Sequence, residues 1–320
     1  MAALPAYSCY DVLTAAVGAR VGMKFYDIDP VALVPESRTF AQALRSGVGS
    51  IVVGNLFGFP VDWPSVRSEC DRAGLVLIED AAQGLGSAWG GVEAGGFGDL
   101  SVLSFGRGKG WSGGGGGALL LRNGARRPEG ASIAGPRTGR GMKSAILSAA
   151  QWALGRPSLY GLVAALPGTG LGDTRYKKPE GVSEIPGFCA GAALRHAHAS
   201  LALADVRRQN ARRWDTVLDE VGHARGWSRC MPLGGGTSGA LRYPFVVAGR
   251  READELVTRL ARAGAARSYP MPLPALPPAA PFAHPDGSEW RGARSLADGL
   301  VTLPTHGLLS ERDLLAVSRA

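Results

Sequence analysis

The sequence predicts an α/β protein: a mostly parallel sheet with helices on both faces, followed by a smaller α+β unit. Three features carry that expectation. Short apolar runs alternate with helically spaced stretches through the first third, these runs are continuous instead of alternating in polarity, and one long helical stretch joins them to the rest. Continuous apolar strands are buried on both faces, and helices between them make parallel neighbours.

The strands read as Phe25–Pro30, Ile51–Gly54, Leu75–Asp80, Leu100–Phe105 and Ala118–Leu121. Between them, Ser37–Arg45 and Asp62–Ala73 have helical spacing, the second with Trp63, Val66 and Cys70 on one side. Asn123 to Gly141 is rich in Gly, Pro and Arg and reads as an exposed loop. Ala145 to Leu166 is the most apolar region, but Gln151, Arg156 and Pro157 interrupt it. A membrane span needs about 20 clean apolar residues, so a buried helical hairpin is expected there. A second loop, Pro167–Val182, carries Arg175, Tyr176, Lys177 and Lys178. Pro186 then opens a long helix running to about Glu220. A strand (Leu241–Val247), a helix (Arg251–Ala263), proline-rich connections and a last helix from Ser310 complete the chain. At 320 residues a single core is exceeded. The expected division is a large domain over 1–185, including the 123–182 loop and apolar insertion, and a small domain over 186–320 that begins with the long helix.

Composition narrows the function. Hydrophobic residues at 45% and charged residues at 19% exclude a disordered chain. The net charge of +8 is concentrated, with six basic residues against Glu129 between Arg122 and Lys143. That clustering favours a local anion site over a surface that coats nucleic acid. Cys9, Cys70, Cys189 and Cys230 are far apart without a CxxC pair, which supports neither a disulfide framework nor a zinc site. His196 and His198, two apart on a helix, face different ways and make no metal pair. No signal peptide or transmembrane segment is visible at this stage, and the expected compartment is the cytoplasm.

In parallel sheets, ligands bind at the carboxyl ends of the strands. Two segments sit there. Glu79–Gln83 puts Asp80 at the end of an apolar strand, where a carboxylate is costly unless it meets a cation or a protonated ring nitrogen. Asp80 alone would also suit a cap on the next helix. Ser104–Lys109 ends another strand and places a lysine on a glycine-flanked loop, ahead of five glycines, Gly113–Gly117, whose backbone can approach a ligand closely. The run is not a phosphate-cradling P-loop, since Lys109 precedes the glycines. Carboxylate, lysine and hydroxyl together match the needs of pyridoxal 5'-phosphate: an amine to attach it, a carboxylate to keep its nitrogen protonated, a hydroxyl for its phosphate.

The stretch EDAAQGLGSAWGGVEAGGFGDLSVLSFGRGKGWSGGGGGAL resembles the central signature of the DegT/DnrJ/EryC1/StrS aminotransferases, which have the type I fold of pyridoxal-phosphate-dependent transferases. The resemblance extends upstream through LPAYSCYDVLTAAVGARVGMKFYDIDP and NLFGFPVDW, and resumes at LVTLPTHGLLSERD. It implies that Lys109 carries the cofactor, Asp80 faces the pyridine nitrogen, Gln83 lies near the ring's phenolic oxygen and Ser104 binds phosphate. The aromatic residue covering the ring in relatives falls near Cys9, with Tyr7 or Tyr10 as substitutes. It further implies transfer of an amino group, from glutamate, to a nucleotide-linked keto sugar for polysaccharide or glycoconjugate biosynthesis, by a homodimer. The Arg-rich stretch 122–143 would suit a diphosphate. Three departures stand against this. The segment that precedes PAYSCYD in relatives, with its phosphate-binding helix, is expected to be lacking. Gly115 replaces the acid of the usual glycine turn. The partner-facing tyrosine–asparagine–arginine segment is not recognisable around Gly187–Ala193. They leave open a second reading, a non-catalytic relative or truncated form acting as a binding or scaffold protein.

Overall fold

The computed structural model describes residues 1–106, 108–122, 175–181, 183–283 and 289–320. Most of the Arg-rich stretch, the apolar 145–166 segment and the first part of the 167–182 loop lie outside the described residues.

The chain opens with β1 (Ala2–Pro5), α1 (Tyr10–Gly18), β2 (Met23–Tyr26), α2 (Ser37–Leu44) and β3 (Ser50–Gly54). Next come α3 (Trp63–Ala73), β4 (Val76–Asp80), the short β5 (Ala88–Trp89) and β6 (Val92–Glu93), then β7 (Leu100–Ser104) and β8 (Gly117–Leu121). The main sheet has the order β2-β1-β3-β4-β7-β8. Every pairing in it is parallel except β7 with β8, so the expected mostly parallel sheet is present with one antiparallel edge.

Local chemistry sets the helix ends. The Glu36 carboxylate accepts from the backbone N–H groups of Arg38 and Thr39, and Asp62 accepts from that of Ser65. Each satisfies donors that a helix start leaves unpaired. Pro64 lies in the first turn of α3, and Gly74, at φ +67°, closes it in the left-handed conformation glycine adopts without strain. Asp99 then ties α3 to the sheet by accepting from Arg67 and from Leu77 N–H, both at 2.8 Å.

The second part consists of α4 (Gly187–Arg225), β9 (Ser228–Arg229), β10 (Gly236–Thr237), β11 (Arg242–Val246), α5 (Arg250–Arg259), α6 (Arg291–Gly299), β12 (Leu300–Pro304) and α7 (Glu311–Arg319). β12, β11 and β9 form an antiparallel sheet, while β10 joins β5 and β6. Two cores result. One gathers Leu4, Tyr26, Ile51, Trp63 and Leu77 from the main sheet and its helices, the other Trp214, Phe245, Leu256, Leu303 and Val317. The connection from Tyr269 to Leu300 returns to the first core, contributing Tyr269, Leu273, Leu276 and Leu296. Among the described residues, no helix is long and apolar enough to cross a membrane.

Candidate active site

The site forms where β3, β4 and β7 end side by side. Gly54 pairs with Asp80 in register, and a Cβ on Gly54 would come within 3.2 Å of the Asp80 Cβ, so a larger residue there would crowd the Asp80 side chain. Asp80 accepts from Ala82 N–H at 3.1 Å through one carboxylate oxygen. Among the described residues no protein group donates to the other. Burial pushes the Asp80 carboxyl above its ordinary range, with the Ala82 N–H and the nearby Lys109 charge pulling it back. No helix follows Asp80 for it to cap; its carboxylate pins the turn after β4 instead.

Lys109 reaches this space from a loop shaped by its glycines. Gly108 (φ +72°), Gly114 (φ +84°) and Gly116 (φ +81°) take conformations that L side chains avoid. Phe105 N–H donates to Gly116 C=O, and Gly113 N–H donates to Phe105 C=O, both at 2.9 Å, closing the loop on itself. The indole of Trp111 packs 4.9 Å from the Phe105 ring and donates to Ala193 C=O at 2.7 Å, fastening the loop to α4. A Cβ at Gly106 would lie 3.3 Å from Ser104 Oγ and 3.9 Å from Lys109 Cγ, so the end of β7 and the lysine stem both border this glycine. Ser104 Oγ accepts from Gly106 N–H at 3.3 Å and keeps its own proton to donate.

Gln83 is already engaged. Its carbonyl accepts from Phe57 N–H at 2.9 Å, and its amide donates to Tyr269 Oη at 2.8 Å, leaving one N–H. Tyr269 stands at the centre of an aromatic group, 5.5 Å from Tyr7, 6.0 Å from Tyr10 and 6.2 Å from Phe57 between ring centroids. Tyr7 and Tyr10 are buried in that group, and Tyr10 Oη accepts from Met271 N–H. Their burial argues against either ring covering a cofactor. Cys9, half-buried at the start of α1, is the residue that opens towards the Lys109 and Asp80 charges. Burial pushes its thiol up; Asp11 and Asp80 add to the rise and Lys109 opposes it.

Two contributors were not foreseen. Glu79, fully buried, accepts from Gly95, Phe97 and Gly98 N–H and from Ser101 Oγ, bracing the loop behind Asp80. Tyr269 lies 186 positions from Gln83, in the Ser-Tyr-Pro run of the proline-rich connection. An aromatic residue directly ahead of a proline-rich run in an otherwise loop-like segment was the available signal. Two cavities flank these elements. One of about 270 Å³ is lined by Ala81, Leu85, Ser104, Gly110, Trp111 and His198. A larger cleft, about 900 Å³, runs between β2, α2 and the start of α6 and shares no lining residue with Asp80 or Lys109. Among the described residues no group of three or more His, Cys, Asp or Glu side chains is arranged to hold a metal.

Residues 5–132 match the DegT/DnrJ/EryC1/StrS aminotransferase family. Over this stretch, two fifths of its length, the chain is similar to that family. A putative sugar aminotransferase from Streptococcus pneumoniae, solved in a PLP form, superposes with a TM-score of 0.72 at 16% identity, over 99% of this chain and 79% of that one. Among curated relatives, a pleiotropic regulatory protein of Geobacillus stearothermophilus is 33% identical over 112 residues, which is 34% of this chain and 30% of the relative. An L-glutamine:2-deoxy-scyllo-inosose aminotransferase of Streptomyces kanamyceticus is 32% identical over 117 residues, 37% of this chain and 27% of the relative. The matched stretch thus spans under a third of either relative's length. The crystal structure of a DegT/DnrJ/EryC1/StrS aminotransferase from Brucella abortus superposes with a TM-score of 0.68 at 22% identity, over 99% of this chain and 77% of that one. The described parts of the chain therefore share the fold of that solved structure.

Proposed function

We propose that the protein is a pyridoxal-phosphate-dependent aminotransferase that moves an amino group from glutamate to a nucleotide-linked keto sugar. The observation that carries this is the convergence of Asp80, Ser104 and Lys109 at adjoining strand ends, with Asp80 holding a carboxylate oxygen that no protein donor uses.

The donor set suits the cofactor. Asp80 would offer an acceptor to a protonated ring nitrogen, and Ser104 a hydroxyl to a phosphate. Gln83 offers its remaining N–H, held in orientation by Phe57 and Tyr269. When bound, pyridoxal phosphate supplies the electron sink that makes a substrate α-hydrogen acidic. The chain's own work is to attach, orient and move protons. Lys109 Nζ would hold the cofactor through its amine and would be the group placed to take up and return a proton. Asp80 would hold a proton on the ring nitrogen, because a carboxylate beside it favours the charged ring. The same reading makes the protein a homodimer, supported by the apolar side chains Leu119, Leu120, Leu194, Leu201 and Leu203 left exposed along β8 and α4.

A non-catalytic binding role is the second reading, favoured by Gln83, whose two polar ends both have protein partners. Borohydride reduction after incubation with pyridoxal phosphate separates the two. The enzyme reading expects a visible absorbance band and a cofactor-sized mass increase on the peptide containing Lys109, both lost in Lys109→Ala. An unmodified Lys109 at saturating cofactor overturns it and leaves the binding role.

A further inference from the structure

The cleft of about 900 Å³ between β2, α2 and the start of α6 has no task in the aminotransferase reading. Its volume is that of a small-molecule pocket, which runs from about 300 to 1,000 Å³. Four carboxylates and three basic side chains line it, but the two sets are spent differently. Asp27 accepts from Ile28, Gly292 and Ala293 N–H, and Glu36 accepts from Arg38 and Thr39 N–H. Glu289 pairs with Arg291 at 2.9 Å. Asp29 takes Val31 and Ala32 N–H on one oxygen, Oδ1, and among the described residues no protein group donates to the other. Lys24, half-buried on β2, and Arg38, exposed on α2, form no ion pair or side-chain hydrogen bond among the described residues. The Glu36 charge acts on Arg38, but that carboxylate is already held by the start of α2. The cleft therefore keeps two uncommitted cations and one open carboxylate oxygen.

One wall is aromatic. Trp290, half-buried, meets Phe25 edge to face with ring centroids 6.2 Å apart. Its backbone is left-handed, at φ +46° and ψ +54°, a conformation that bulky side chains avoid. α6 starts at the next residue, where Asp27 holds two N–H groups, so the turn that carries the indole is fixed from the end of β2. Non-glycine residues held in this conformation concentrate at ligand clamps and active sites. An indole lining a cleft gives a flat ligand a stacking face.

We propose that this cleft binds a nucleotide, its base against Trp290, its phosphates on Lys24 and Arg38, and its ribose hydroxyls donating to the open oxygen of Asp29. A phosphate alone would leave Trp290 and Asp29 unused, and a neutral sugar would leave both cations unmatched. A nucleotide answers all three with one molecule, since Lys and Arg are the phosphate-binding cations and every base has a face to stack. The site shares no lining residue with Asp80 or Lys109, so it does not rest on the aminotransferase reading.

The test is calorimetric titration of ADP and UDP into the full chain, with Trp290→Ala, Trp290→Phe, Lys24→Met, Arg38→Met and Lys109→Ala beside the wild type. At least one nucleotide should bind the wild type, and Trp290→Ala, Lys24→Met and Arg38→Met should each weaken it about tenfold. Trp290→Phe keeps a stacking face and should lose less. Added sodium chloride should weaken the wild type more steeply than Lys24→Met and Arg38→Met, because only the phosphate contacts are screened. Arg38 is exposed, so Arg38→Met carries the test if Trp290→Ala fails to fold. Lys109→Ala should bind as the wild type does. No binding of either nucleotide at millimolar concentration overturns the proposal, as does binding that ignores every substitution at positions 24, 38 and 290. Loss in Lys109→Ala with retention in Trp290→Ala places the nucleotide at the candidate active site and overturns it too. Attachment of pyridoxal phosphate to Lys109 is read separately by mass, so either reading can fail while the other stands.

Discussion

The loop behind β4 and the cleft in front of it receive neighbouring carboxylates, Glu79 and Asp80, with opposite treatment. Glu79 is fully buried and accepts four hydrogen bonds, three from backbone N–H groups and one from Ser101. Asp80 accepts one and keeps an oxygen open to the cleft. A carboxylate whose lone pairs are filled by its own chain fixes structure; one left half-filled at a strand end is available to a ligand. The two side chains are one residue apart, so the difference arises from the alternation of a strand, which sends successive side chains to opposite faces.

The largest expected effect tests the braced side. Glu79→Ala leaves three buried N–H groups and a hydroxyl unpaired and should cost about 4 kcal/mol of unfolding free energy, read from urea titration. Glu79→Gln keeps some of the acceptors and should cost about half as much. A loss of under 1 kcal/mol in Glu79→Ala would show that the brace is dispensable and remove the contrast. The next effect is smaller and lies on the cleft side. Tyr269→Phe removes the hydroxyl that accepts from Gln83 and should cost about 1 kcal/mol while preserving the aromatic packing. Cofactor affinity should fall with it if Tyr269 holds the Gln83 amide in place; an unchanged affinity would confine Tyr269 to the core.

The legible parts of the molecule are those fixed by local pattern. The strands ending at Asp80 and Ser104, and α3 with Asp62 before it and Gly74 after it, follow from continuous apolar runs and capping residues. β1, by contrast, is Ala-Ala-Leu-Pro, poor in strand formers, and is a strand because β2 and β3 flank it on both sides. α6 and β12 were hidden in a proline-rich connection. Asp27, 265 residues away from Gly292, accepts from Gly292 N–H and Ala293 N–H and fixes where α6 begins. In the site, Asp80, Ser104 and Lys109 were visible because each occupies a strand end or the loop directly after one. Tyr269 was not, because its contact with Gln83 exists only after the connection folds back on the first core. The expectation that Tyr7 or Tyr10 covers a ring came from chain proximity to Cys9; the tertiary aromatic group around Tyr269 takes both instead.

The smallest expected effect is also the one most specific to an unfilled acceptor. Burial raises the Asp80 carboxyl above its value of about 3.9 in the unfolded chain. Between those two values the native state binds more protons, so the Asp80 contribution to stability falls as pH rises through that window. Above the native value the cost is fully present, and below about 3.9 it is absent. Asp80→Asn removes the ionisable group, so at neutral pH the cofactor-free variant should melt about 1–2 °C above the wild type, and the gain should vanish in acid. Bound pyridoxal phosphate should reverse the order, since a protonated ring nitrogen compensates the wild-type carboxylate and has no anion to face in the variant. Glu79 offers no such reversal, because its partners are all within the chain. A melting point for Asp80→Asn below the wild type at every pH, with or without cofactor, would make Asp80 a second structural brace and erase the distinction between the two sides of β4.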